Sequence, residues 1–204
     1  MRPEPVILAF DTSAAHCAAA VLVGDEIVQS RVEEMKRGQA ERLMPLLEEL
    51  LAEAGLGWRD LDAVAVGIGP GNFTGIRIAV STARGLALGL GRPAVGVDGF
   101  EAASYGAPRP VSCLIPTTRD MVYREDMTEA GVRGPVLQTR SDAEAEIADL
   151  GYPIVPMPET GATVANIARI AATRFAEALP RPAPLYIRAA DAAPPKDPAP
   201  VILP

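Results

Sequence analysis

The 204 residues include 49% hydrophobic and 22% charged side chains, enough to bury the core of one large domain or two small ones. A net charge of −7 argues against a chain that grips nucleic acid by itself, because neutralising phosphates takes a basic excess; any RNA contact would borrow its positive surface from another subunit. Two cysteines and one histidine exclude a disulfide framework and a His-rich metal site, and no apolar run approaches the roughly 18 residues of a membrane span.

The opening, MRPEPVILAFDTS, lacks the apolar region of a signal peptide, so the chain is expected in the cytoplasm. Apolar runs over residues 6–10 and 17–23, a Gly24-Asp25 turn and partial alternation over 26–32 predict a three-strand meander. Cys17 lies in the second run and Cys113 in a later one, where both read as core residues; His16 reads as a structural or an exposed strand-edge residue. Leu43, Leu46, Leu47, Leu50 and Leu51 follow helical spacing over 39–54, with Gly55 as the stop and Pro45 predicting a kink or a late first turn. A buried strand over 62–68, a helix over 74–90, a strand over 93–97 and a short helix after it close a first half near residue 107. Strand VSCLI, strand MVYRE, a helix over DAEAEIADL, a short strand YPIVP and a helix from Thr163 onward make a smaller second half over 108–190. Prolines crowd from Pro180, and 191–204 is expected to be an extended tail.

The stretch GIGPGNFTGIRIAVSTARGLALGLG, from Gly67 to Gly91, poses the main question. A glycine turn opening a helix can hold phosphate through its free N–H groups. Here, however, Gly75 is followed by Ile76, and no lysine occurs between Lys36 and Lys196, so the phosphate-loop pattern fails. The dinucleotide fingerprint fails as well, because the sixth place counted from Gly69 is Thr74. The helix itself reads as a packing surface. Gly75, Ala79, Ala83, Ala87 and Gly91 recur every four residues, with Arg77 and Arg84 on the opposite side. Such a face lets a neighbouring backbone approach closely, either the chain's own sheet or another subunit's helix.

The runs ILAFDTSAAHCAAAVL, QAERLMPLLEELL, GPGNFTGIR, EAAS and PLYIR together resemble the TsaB family of tRNA threonylcarbamoyladenosine biosynthesis proteins, most closely over residues 5–106. The resemblance implies an α/β, actin-like (ASKHA, ribonuclease H-like) fold of two related halves, the second smaller and degenerate. It implies a non-catalytic scaffold that binds and stabilises a larger, metal-bearing paralogue, TsaD. With the small ATPase TsaE, that pair places a threonylcarbamoyl group on N6 of adenosine in tRNA. This chain would meet tRNA only through the complex. The heterodimer face falls on the helices at 39–54 and 74–90, so Leu43, Leu46, Leu47, Leu50, Gly75, Ala79, Ala83 and Ala87 are the candidate partner residues. The leucines are expected to lie mostly in the core, and the same face could form a homodimer when the chain is alone.

Three departures bear on chemistry. The paralogue's two metal-binding histidines correspond to Gly99 and Ala103, which cannot ligate a metal. Gln39 stands where family members often carry histidine, and Pro116-Thr117-Thr118-Arg119-Asp120 replaces the usual Asp-containing turn before Val122-Tyr123. No metal and no cofactor are therefore expected. ATP is the cofactor of the rival reading, an actin-like ATPase or carbamoyl-transfer enzyme using Asp11, Thr12, Gly69 and Gly71. A metallopeptidase finds no ligand set at all.

Overall fold

Val6 to Phe10 are all buried, as a strand covered on both faces requires. The computed structural model describes residues 4–187. In it the run forms β1, Val6–Asp11, the central strand of a five-stranded sheet. β2, His16–Val23, and β3, Glu26–Glu34, follow as antiparallel neighbours. β4, Ala63–Gly67, and β5, Ala94–Val97, extend the sheet in parallel on the other side of β1. β3 carries the partial alternation of an edge strand with one wet face.

The strand order is β3-β2-β1-β4-β5. A second sheet, β8-β7-β6-β9, repeats it without the fifth strand. It comprises β6 (Val111–Pro116), β7 (Met121–Thr128), β8 (Gly131–Thr139) and β9 (Ile154–Pro156). Again two pairings are antiparallel and the last, β6 with β9, is parallel. This is the actin-like arrangement of two related halves, the second reduced.

Two helices cover one face of the first sheet. α1, Gln39–Glu53, buries Leu43, Leu46, Leu47, Leu50 and Leu51. α2, Phe73–Leu90, buries Gly75, Ile76, Ala79, Val80 and Ala83. These side chains form one core with Val6, Leu8, Phe10, Val64 and Val66. Pro45 lies inside α1 rather than starting it. It is exposed, as is Glu41, the residue whose carbonyl loses its partner to the proline.

α3, Gly99–Ala103, is short and is capped by Asp98, whose Oδ1 accepts from the N–H groups of Phe100 and Glu101. α4, Arg140–Leu150, covers one face of the second sheet through Ala143 and Ile147. α5, Thr160–Arg174, departs from the sequence order. It follows the second sheet in the chain but packs on the first: Val164, Ile167, Ala168, Ile170 and Ala171 meet Ile7, Ala9, Ala18, Ala20 and Ala65. The span 108–190 is therefore not one self-contained body, because its last helix completes the core of the first half. β8 is a strand where the sequence suggested none. It is an edge strand interrupted by Gly134 and Pro135, and such breaks are tolerated only at an edge. The tail over 191–204 lies outside the described residues.

Candidate functional site

The turn before α2 meets the turn after β1. Thr12 is fully buried, and its Oγ1 donates to the Gly75 carbonyl at 2.6 Å. The Asn72 N–H donates to the Ser13 carbonyl at 2.6 Å, and the Asn72 side chain caps α2 by accepting from the Gly75 N–H at 2.9 Å. A Cβ on Gly75 would run into the Thr12 carbonyl oxygen, one on Gly71 into the Ser13 carbonyl, and one on Gly67 into the Asp11 carboxylate. Gly69 has φ +100°, and a Cβ there would press on Ile76 Cδ1 at 2.7 Å. Gly71 and Gly75 let two stretches of this chain's own backbone touch, while Gly67 makes room for the Asp11 side chain and Gly69 for that of Ile76.

Asp11 lies at the base of the cleft between the sheets and is only 7% exposed. Its Oδ1 accepts from the Ser13 N–H at 2.9 Å and the Ser13 hydroxyl at 2.8 Å, and His16 Nε2 lies 2.9 Å from the same oxygen. Its Oδ2 packs against Gly67. Asp11 is thus a local hub. Ser13 donates to the carboxylate and not to the imidazole, so these residues do not form a nucleophile–base–acid relay. The cleft encloses about 1440 Å³, with Lys36 and Arg37 on one wall and Thr117, Thr118, Tyr123 and Met157 on the other. Among the described residues no group of three or more His, Cys, Asp or Glu side chains is placed to hold a metal. Gly99 and Ala103 lie on α3.

The eight candidate partner residues separate clearly. Leu43, Leu46, Leu47 and Leu50 are at most 1% exposed and belong to the chain's own core. Gly75, Ala79 and Ala83 are buried against the first sheet, and Ala87 is half-buried. The face α2 turns to solvent consists instead of Arg77, Ser81, Arg84, Gly85, Leu88 and Gly89. Leu88 is 84% exposed. A Cβ on Gly85 or Gly89 would meet nothing within 4 Å. These are helix-interior glycines that nothing in the described chain requires, and each costs roughly 1 kcal/mol against alanine. The fourfold spacing picks out the inward row, and Gly85 and Gly89, which flank it in the sequence, fall on the outward side.

Beside that strip, α1 exposes Glu41, Glu48, Glu49 and Glu53. Arg42 Nε donates to Glu33 at 2.7 Å and its Nη1 to Glu49 at 2.7 Å; Arg31 pairs with Glu49 and Glu53. The Arg42 hydrogen bonds hold the Glu33 and Glu49 carboxyls below the usual range. On this side of the molecule α1 therefore carries acids, of which Glu49 and Glu53 are already paired with Arg31 and Arg42 toward β3, while Arg77 and Arg84 stand on α2.

A second cluster lies where α3 meets the second sheet. Glu125 on β7 is 7% exposed and sits between the inward-facing Tyr123 and Met127. Burial, with the charges of Asp98, Glu101 and Asp126, pushes its carboxyl up to about 7. Burial also raises Asp98. On the other face of β7, Arg124 makes a bidentate pair with Asp126, at 2.9 and 2.6 Å, and reaches Glu146. These inward acids were missed in the sequence, although the alternation of Tyr123, Glu125 and Met127 marks one buried face.

The family model described as TsaD, tRNA N6-adenosine threonylcarbamoyltransferase, matches residues 25–188. A TsaB protein of Escherichia coli, named for tRNA threonylcarbamoyladenosine biosynthesis, is 39% identical over 103 residues, which are 50% of this chain and 44% of that protein. The match thus spans less than half the length of that curated relative. An uncharacterized Mycobacterium tuberculosis protein is 31% identical over 202 residues, covering 92% of this chain and 94% of its own length. A Pseudomonas aeruginosa crystal structure, described as an uncharacterized protein similar to the peptidase YeaZ, superposes with a TM-score of 0.65 at 26% identity, over 90% of this chain and all of that one. No helix among the described residues is long and apolar enough to cross a membrane.

Proposed function

The chain belongs to the TsaB family, within the group that the threonylcarbamoyltransferase model describes, and on that premise we propose that it is a non-catalytic scaffold subunit of the machinery that makes N6-threonylcarbamoyladenosine in tRNA. Its partner is a TsaD-like paralogue, which it holds and stabilises in the cytoplasm. A TsaE-like ATPase supplies nucleotide turnover, and tRNA is met only through the assembly. The chain itself holds neither metal nor nucleotide.

One observation carries this reading: the outward strip of α2, where Gly85, Gly89 and Leu88 stand bare. Open glycines in a helix interior are accounted for when a second backbone packs on them. The charges on the two helices favour a partner built alike. A paralogue presenting the same pair of helices across a pseudo-twofold axis sets α1 of one against α2 of the other, and acids against Arg77 and Arg84. The engagement of Asp11 by Ser13 and His16, and of the glycine turn by residues 12 and 13, supports the absence of independent chemistry. The same hub gives a peptidase reading no free nucleophile.

Calorimetry and light scattering with the TsaD-like paralogue test the proposal. Wild type is expected to form a complex. Gly85→Trp and Leu88→Glu are expected to weaken it at least tenfold without lowering the thermal midpoint of the free chain, because both positions are open. No complex with wild type, or complexes unmoved by both variants, refutes it. Threonylcarbamoyl transfer by the chain alone would refute the non-catalytic part.

A further inference from the structure

After α5 the chain runs without regular secondary structure from residue 181 to residue 187, and this short run touches both halves. Pro182 is buried, with its Cβ 3.3 Å from where a Cβ on Gly96 of β5 would lie. The Leu185 N–H donates to the Ile68 carbonyl, just beyond β4, at 2.8 Å. The main chain is thereby laid across the end of the first sheet. The side chains of Leu185 and Ile187 instead join the apolar cluster of the second sheet, with Ile115, Tyr123 and Met127. Tyr186, between them, turns outward onto α2. Its ring stacks on Phe73 with centroids 4.8 Å apart, and its hydroxyl accepts from Arg77 Nε at 2.8 Å. The Arg77 guanidinium lies 3.8 Å over the Phe73 ring. The same three residues, 185 to 187, line the cleft.

We propose that residues 182–187 form a strap across the two halves, that the seating of Tyr186 on Phe73 and Arg77 sets how far the cleft opens, and that a protein docked on α2 therefore controls the cleft. The last part rests on the partner reading given above; the strap itself does not. Arg77 belongs both to the outward face of α2 and to the Tyr186 seat, so a partner covering that face shields the stack from water and favours the seated state. A ligand shifts a conformational equilibrium only through such a differential contact. By linkage, loosening the strap weakens the partner by the same factor.

Spin labels at Lys36→Cys and Thr118→Cys, on opposite walls of the cleft, report the opening by pulsed electron resonance. The native Cys17 and Cys113 are buried and their thiols are pushed up to about 11, so they label slowly. Tyr186→Ala is expected to lengthen and broaden the distance distribution. Tyr186→Phe, which keeps the stack, is expected to stay near wild type. Arg77→Ala, which loosens the seat from the α2 side, should move in the direction of Tyr186→Ala. Binding of the paralogue is expected to narrow the wild-type distribution. An unchanged distribution in both Tyr186→Ala and Arg77→Ala overturns the strap. A complex that forms without altering the distribution overturns partner control while leaving the scaffold reading in place. Absence of any complex removes that reading and partner control together, and the free-chain variants still decide the strap.

Discussion

The carbonyl oxygen of Thr12 occupies the space that a side chain on residue 75 would need. Gly75→Ala must therefore push apart two backbones, not a flexible side chain. It is expected to cost about 1–3 kcal/mol, the range for overpacking a closed site. Gly85→Ala, ten residues along the same helix, meets open space and is expected to stabilise the free chain by roughly 0.5–1 kcal/mol. Urea midpoints of the two variants check both signs in one experiment. A stabilised Gly75→Ala would show that the two turns are not in contact.

Glu125 gives the fold a pH dependence. Its carboxyl is pushed up to about 7 in the folded chain, above the ordinary carboxylate value, because burial and the nearby charges of Asp98, Glu101 and Asp126 disfavour its charge. A group raised on folding contributes stability that is present in full at low pH and lost as pH climbs through the folded value. Between about pH 4.5 and 7 the wild type should lose on the order of 3 kcal/mol from this group, at about 1.4 kcal/mol for each tenfold change in proton affinity. Glu125→Gln is expected to remove that slope and to be the more stable protein at pH 8. Equal pH slopes in the two proteins would show that Glu125 is solvated.

Arg124 neutralises Asp126 within the second half, and its side chain is 6% exposed. Arg124→Ala leaves the buried carboxylate without its cation and is expected to cost about 3–5 kcal/mol. The loss should be smaller when Asp126→Ala is added, because the stranded charge is gone. A double-mutant cycle on chemical denaturation measures the coupling. Additive losses would mean that the pair is not coupled in solution.

Cys17 and Cys113 should behave as inert core residues. Burial is the leading cause that raises both thiols, to about 11. At neutral pH the native chain is expected to react with a thiol reagent at least about 100-fold more slowly than the unfolded chain, because the thiolate is the reactive species. Rapid labelling of either cysteine in the folded protein would contradict its placement in the core.

Much of the first half was legible because its strands are covered on both faces. Continuous apolar runs such as 6–10 and 17–23 can be little else, and Gly91 closes α2 in the left-handed conformation that a helix stop requires. The sequence raised phosphate holding at the glycine turn and close packing along the helix after it, but not that the turn itself meets another part of the chain. Residues 12 and 13 come from far along the chain, and no local pattern announces them. β8 was hidden because Gly134 and Pro135 erase the strand signature at an exposed edge. α5 could be read as a helix, yet nothing in its own residues says which sheet it covers. Its small, β-branched and aliphatic face suits either one. The leucines of α1 were readable as an apolar stripe, while the outward glycines of α2 only acquire meaning once their surroundings are seen to be bare.

The chain leaves the first sheet after β5, builds the second sheet, and then returns with α5 to roof the strands it began with. A cut near residue 107 would strip Ile7, Ala9, Ala18 and Ala20 of their cover. Neither segment can then melt independently of the other, and heating should produce one cooperative transition from a molecule that has two sheets but a single unfolding unit.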